Sequence, residues 1–168
     1  MQIERSTSFR AAAPEDGAQV WELIRQAGSL DVNSAYSYLM LCDYFRDTCV
    51  VAEENDNIVG FVSAFRAPHS DDTLFIWQLA VARSHRRKGL GKSMIQTLLA
   101  REASRIRYVE ATIGLSNTAS RQLFTSLAKH YHTRFEVETG YDSPLFPPES
   151  EHETENLFRI GPLSVEKS

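Results

Sequence analysis

Between Thr73 and Ala103 the sequence changes period, and the join is basic and glycine-containing. Thr73 to Val81 alternates as a strand does, while Met94, Ile95, Leu98, Leu99 and Ala103 recur at helical spacing. Between them stands Arg86-Arg87-Lys88-Gly89-Leu90-Gly91. A strand turning into a helix across glycines calls for a sheet with helices laid against it. It also favours one kind of ligand. Such a turn aims backbone N–H groups and the positive end of a helix dipole at one point, and glycine lets an anion approach the backbone closely. A pyrophosphate fits there, and Arg83, Arg86, Arg87, Lys88 and Lys92 gather cations beside it. Neither G-x-x-x-x-G-K-[ST] nor G-x-G-x-x-G is present, which removes the P-loop and the dinucleotide fingerprint. Taken alone, the loop is equally compatible with an ordinary strand-to-helix turn.

The local basicity stands out because the chain is acidic overall: 18 Lys and Arg against 22 Asp and Glu, a net charge of −4. That balance argues against general binding of a phosphate backbone. With 168 residues, 42% of them hydrophobic and 24% charged, the expectation is one globular domain with a real core. Met1 to Ser8 is polar and mixed in charge, and no apolar run approaches the ~20 residues of a membrane helix, so a cytoplasmic protein is expected. Cys42 and Cys49 lack C-x-x-C or zinc spacing and read as reduced, inert thiols. His130-x-His132, His69 near Asp71 and Asp72, and His152-x-x-Glu155 form no recognised ligand set, so no metal is expected.

Pro14-Glu15-Asp16 followed by Val20, Trp21, Leu23, Ile24 and Ala27 predicts a helix stopped by Gly28, with a short strand at Phe9 and Arg10 before it. A second helix is expected over Ser34 to Phe45 after a polar link. Residues 49–52 and 58–65, joined by Glu54-Asn55-Asp56-Asn57, read as an antiparallel hairpin. Arg107 to Ile113 reads as a strand, Ser116-Asn117 as the cap of a helix bearing Leu123, Phe124, Leu127 and Ala128, and Thr133 to Glu138 as a strand. Gly140 to Glu155 is an irregular excursion, and Leu157 to Ile160 a closing strand. The order β-α-α-β-β-β-α-β-α-β-β specifies a mixed α/β sheet.

The pattern Arg-x-x-Gly-x-Gly after the strand Thr73 to Val81, with Asn117, Phe124 and Leu127 downstream, resembles the acetyl-CoA site of the GNAT acetyltransferases. The resemblance spans roughly residues 9–162 and implies the acyl-CoA N-acyltransferase fold, a mixed sheet with splayed strands flanked by helices, as one domain over residues 7–162. It also implies acetyl-CoA as co-substrate. Arg86, Arg87, Lys88, Gly89, Leu90, Gly91 and Lys92 would hold its pyrophosphate, and Asn117 and Phe124 would lie along it. Backbone groups around Leu79 to Val81 would pair with the pantetheine arm as a sheet edge does.

A narrower resemblance lies in segments outside that shared core. Asp31 to Tyr38 followed by Leu39-Met40-Leu41-Cys42, then Phe75 to Val81, Asn117 to Ala128, and His152-Glu153-Thr154-Glu155 before Leu157 to Pro162 resemble the diaminobutyrate acetyltransferase family of ectoine synthesis. Those enzymes acetylate the 4-amino group of L-2,4-diaminobutyrate. The substrate carries two amines and a carboxylate, so its pocket requires acidic partners and a donor, whether an Arg, a Tyr hydroxyl or backbone N–H groups. The resemblance places Asp31 and Glu155 on the amines, with Glu153 as a further acid and Trp77 as a wall over the short carbon chain. Asn33, Tyr36 and Tyr38 are secondary candidates, although aromatics at such helical positions are more often core.

Direct attack of the amine on the thioester is the expected route, without an acyl-enzyme, with an oxyanion held by a backbone N–H near Leu79 or Val81. Glu155 or Asp31, directly or through water, is the candidate base. Many GNAT enzymes carry a thiolate-protonating tyrosine seven residues after the helix-starting asparagine, and here that position is Phe124. Two further readings stay open: a GNAT enzyme for another amine, and a non-catalytic acyl-CoA-binding module. A homodimer pairing through an exposed strand or hairpin edge is also expected.

Overall fold

The computed structural model describes residues 6–102 and 104–164. In chain order these form β1 (Ser8–Arg10), α1 (Gly17–Ala27), α2 (Ala35–Asp43), β2 (Cys49–Glu54), β3 (Asn57–Arg66), β4 (Thr73–Val81), α3 (Leu90–Arg101), β5 (Tyr108–Gly114), α4 (Thr118–His130), β6 (Arg134–Tyr141) and β7 (Glu155–Gly161). The element order is the one read from the sequence. Among the described residues the strands make one mixed seven-stranded sheet, ordered β1-β2-β3-β4-β5-β7-β6. Ala103, expected on the apolar face of α3, and Met1 to Arg5 of the polar leader lie outside the described residues.

Some boundaries moved. Pro14–Asp16 is a separate 3-10 turn ahead of α1. Its Asp16 carboxylate takes hydrogen bonds from Arg10 Nη1 and Nη2, each 2.8 Å, and from the Ala13 N–H at 2.7 Å. The irregular excursion is shorter than expected, because β6 runs through to Tyr141 and β7 starts at Glu155. Alternation was a poor guide there, since β6 is exposed along nearly its whole length.

The chain divides into two compact units, Met1–Phe65 with Trp77–Glu102, and Arg66–Ile76 with Ala103–Ser168. In the first, β2 pairs antiparallel with both β1 and β3. The β2–β3 connection is the two-residue turn Asn55-Asp56, with φ of 51° and 62°. Asn and Asp tolerate that left-handed pair, which matches the twist of a hairpin. Val20 and Ile24 of α1, Tyr38 and Cys42 of α2, and Cys49, Val51, Phe61 and Ala80 of the strands form one buried cluster. Helix α3 comes close at Gly60, where a Cβ would meet the Met94 side chain at 3.0 Å.

In the second unit, β4 pairs in parallel with β5 from Thr73↔Tyr108 to Phe75↔Glu110, and β4 itself continues to Val81. Antiparallel ladders join β5 to β7 and β7 to β6. Helix α4 buries Phe124, Leu127 and Ala128. The Arg159 guanidinium pairs with Glu110 and lies 3.9 Å over the Tyr108 ring, so a largely buried carboxylate is compensated.

Candidate active site

The basic glycine loop leaves β4 through a 3-10 turn, Arg83–His85. That turn is held from two sides. His85 Nε2 lies 2.7 Å from Glu54 Oε2, and Ser84 Oγ lies 2.7 Å from His85 Nδ1. Arg86 donates from Nε to the Val81 carbonyl at 3.4 Å and from Nη2 to the Ala27 carbonyl at 3.3 Å. The chain then passes through left-handed Arg87 (φ 63°) and Gly89 (φ 75°) before α3 starts at Leu90. A Cβ at Gly89 would meet no atom within 4 Å, so glycine is favoured there by backbone conformation and not by crowding. Arg86, Arg87, Lys88 and Gly89 are exposed, Leu90 is buried, and Gly91 and Lys92 are half-buried in the first helical turn. No acidic residue stands in that turn. The positive dipole end of α3 and a cluster of cations therefore share one exposed loop, which suits a polyanion.

On β4, Trp77, Leu79 and Val81 share one face, and Gln78 and Ala80 share the other. Trp77 is 46% exposed, whereas Gln78 and Ala80 are buried. The Trp77 indole is thus open to solvent on that face.

Helix α1 ends at left-handed Gly28 (φ 71°), and the following segment carries Asp31 and Asn33 to Ser34, whose Oγ caps α2 by accepting from the Ser37 N–H at 3.3 Å. Asp31 is exposed and Asn33 half-buried. The two tyrosines part company. Tyr36 is 68% exposed, and Tyr38 is fully buried with its hydroxyl donating to Gln78 Oε1 at 3.1 Å and accepting from the Asn33 N–H at 3.2 Å. Gln78 was not singled out from the sequence. Its signal was present as a lone amide at an apolar-facing position of an alternating strand.

In the second unit, Asn117 caps α4 by accepting from the Ser120 N–H at 3.1 Å. Phe124 is 3% exposed and faces the core under α4. Glu153 accepts from the Ser116 N–H at 3.1 Å and from the Ser116 hydroxyl at 2.7 Å, fixing the turn into α4. Glu155 opens β7 opposite Gly114, with 27% of its side chain exposed. His152 Nε2 approaches Glu155 Oε1 to 4.0 Å, and its ring stacks on Phe146 at 3.8 Å. A cavity of about 680 Å³ in this unit is lined by residues including Ile113, Leu115, Arg121, Phe135, Val137 and Phe158. None of the residues singled out from the sequence lines it.

Both cysteines are fully buried. Burial, with the neighbouring Cys49 sulfur, pushes the Cys42 thiol up to about 12, and burial pushes Cys49 up to about 11. Neither supplies a thiolate nucleophile near neutral pH. Among the described residues no three His, Cys, Asp or Glu side chains are grouped to hold a metal ion, and no helix is long and apolar enough to cross a membrane.

A mixed sheet whose strand β4 leads through an exposed cationic glycine turn into a helix start free of acids offers a site for an anionic ligand. Residues 18–128 match the acetyltransferase (GNAT) family, and the chain belongs to it. Within that family it is similar to L-2,4-diaminobutyric acid acetyltransferases. The one from Shouchella clausii is 53% identical over 150 residues, covering 89% of this chain and 83% of that protein. The one from Halalkalibacterium halodurans is 49% identical, covering 89% and 78%. The solved structure of diaminobutyrate acetyltransferase EctA from Paenibacillus lautus, in complex with L-2,4-diaminobutyric acid and coenzyme A, superposes with a TM-score of 0.92. It is 46% identical, covering 98% of this chain and 99% of that one.

Proposed function

We propose that this chain transfers the acetyl group of acetyl-CoA to the 4-amino group of L-2,4-diaminobutyrate, giving N4-acetyl-L-2,4-diaminobutyrate for ectoine synthesis. The observation that carries the reading is the extent of the likeness to the Paenibacillus enzyme, which runs over 98% of the chain and so includes the segments 31–38 and 152–155 outside the shared cofactor core. The exposed cationic turn before α3 supports a role for Arg86, Arg87, Lys88, Gly89, Leu90, Gly91 and Lys92 in holding the CoA pyrophosphate. Backbone groups at Leu79 and Val81 bind the pantetheine arm and Asn117 borders the cofactor at the start of α4, while Phe124, at 3% exposure, packs behind the site and not in it. The short β4–β5 ladder agrees with a strand whose later residues serve a ligand.

In the reaction the neutral 4-amino nitrogen attacks the thioester carbonyl carbon. The C–N bond forms, a backbone N–H near Leu79 or Val81 steadies the oxyanion, and the C–S bond breaks to release CoA thiolate, which takes up a proton. Asp31 and Glu155 bind the amines, and one of them, directly or through water, accepts the ammonium proton. Trp77 is read as the wall over the carbon chain, with Asn33, Tyr36 and Glu153 as further candidates for binding the substrate. Tyr38 acts from behind, because its hydroxyl is engaged within the fold. Phe124 has no titratable group, so the proton for the thiolate comes from water or from the nitrogen, which sheds one once the C–N bond has formed.

Residues 7–162 act as one domain of a cytoplasmic homodimer in this reading. Support for the dimer comes from β6, an edge strand with Phe135, Val137 and Tyr141 exposed. Kinetics across a panel of amines test the function: kcat/KM should be highest for L-2,4-diaminobutyrate over ornithine, polyamines and peptide N-termini. Asp31→Ala and Glu155→Ala should each lower it by at least about tenfold, the cost of one lost charge-assisted contact. Equal turnover of the panel would sink the assignment.

A further inference from the structure

Gln78 is a polar side chain buried in the middle of β4, with 6% exposure. A buried amide is costly unless its donors and acceptors are used. Here both ends are used, one by the connection between α1 and α2 and the other by Tyr38 of α2. Nε2 donates to the Asp31 carbonyl at 2.9 Å, and Oε1 accepts from the Tyr38 hydroxyl at 3.1 Å. That hydroxyl in turn accepts from the Asn33 N–H at 3.2 Å. The strand end is fixed as well, since the Gln78 N–H donates to Ser63 Oγ at 3.2 Å. One amide thus ties the strand bearing Trp77 and Leu79 to the backbone on both sides of Val32, in a segment whose side chains are largely exposed.

We infer that Gln78 is a positioning residue for acceptor specificity, holding the Asp31–Asn33 backbone so that the Asp31 carboxylate is presented in one orientation to the diamine. This rests on the reading that Asp31 faces the substrate amine. Leucine at position 78 fills the same space without either hydrogen bond. It also leaves the Asp31 carbonyl and the Asn33–Tyr38 pair without their common anchor. The Gln78 side chain lies on the face of β4 opposite Leu79 and Val81, and its hydrogen bonds run to Asp31 and Tyr38, so the effect falls on the acceptor side more than on the cofactor.

The test is steady-state kinetics of the full chain with both substrates varied, together with amide hydrogen exchange. Gln78→Leu should raise KM for L-2,4-diaminobutyrate by about tenfold, as expected when a buried anchor of a charged contact is lost, and leave KM for acetyl-CoA unchanged. Gln78→Glu keeps the acceptor for Tyr38 but loses the donor to Asp31, and should raise the diamine KM as well. Tyr38→Phe keeps the Gln78–Asp31 bond and should give a smaller rise. These two variants conserve volume and carry the measurement if Gln78→Leu fails to fold. Exchange over residues 28–34 should quicken in the Gln78 variants while residues 49–54 stay protected. A parallel rise in both KM values, or unchanged exchange over 28–34, would overturn the positioning role. A wild type that leaves diaminobutyrate unacetylated, with exchange over 28–34 still quickened in the Gln78 variants, would instead overturn the functional reading on which the acceptor half rests.

Discussion

Gly89 holds a left-handed φ of 75° in open space, so its role is conformational. A non-glycine residue there costs about 1–2 kcal/mol of left-handed strain. Gly89→Ala should therefore lower the melting temperature modestly while raising KM for acetyl-CoA severalfold, because relief of the strain moves the N–H groups proposed to bind the phosphates. Thermal denaturation and initial rates read the two effects separately. An unaltered KM for acetyl-CoA would mean that the turn does not hold the cofactor. The glycine and its basic neighbours were legible in the sequence because both follow from residue type alone. Gln78 and the fate of the two tyrosines were not. The outward Tyr36 and the fully buried Tyr38 stand two positions apart on one helix, and only packing decides which side of the helix is covered.

At the scale of elements, the order of strands and helices followed from period changes, and the errors fell where local pattern is silent. Glu155 was read as the end of a loop, yet it starts β7, where its backbone pairs opposite Gly114. The start of α1 was read as one helix from Pro14, yet Asp16 ends a 3-10 turn, because its carboxylate satisfies the Ala13 N–H and pairs with Arg10 of β1. Arg10 also reaches Glu53 of β2 at 2.7 Å, so this cluster joins β1, the turn and β2. Burial alone would raise the Asp16 carboxyl, but the hydrogen bonds from Arg10 and Ala13 outweigh it and hold it below the usual carboxylate range. A carboxyl depressed by folding contributes stability above its unfolded pKa of about 3.9, and that contribution fades as pH falls through the lower folded value. Asp16→Asn should cost about 1.5–3 kcal/mol near neutral pH, the range for a hydrogen bond to a charged group. The gap between variant and wild type should narrow below about pH 4, where protonation removes the wild type's advantage. Urea unfolding at several pH values checks this, and a gap constant with pH would contradict the ion-pair account.

Over the whole molecule, the net charge of −4 said little, and its placement said more. Cations collect on the exposed turn before α3, while Asp31, Glu153 and Glu155 stand on the segments likened to diaminobutyrate enzymes. The exposed apolar residues of β6 carry the proposal of a dimer, which light scattering should report at twice 19.0 kDa. Val137→Lys on that edge should shift the mass toward the monomer, and a monomeric wild type would remove the proposal. The central claim concerns chemistry, and the product of one reaction tests it most directly. Incubation with acetyl-CoA and L-2,4-diaminobutyrate, followed by NMR of the product, should show the acetyl group on N4 with stoichiometric release of CoA. Acetylation at N2, or no acetylated product, would contradict the account.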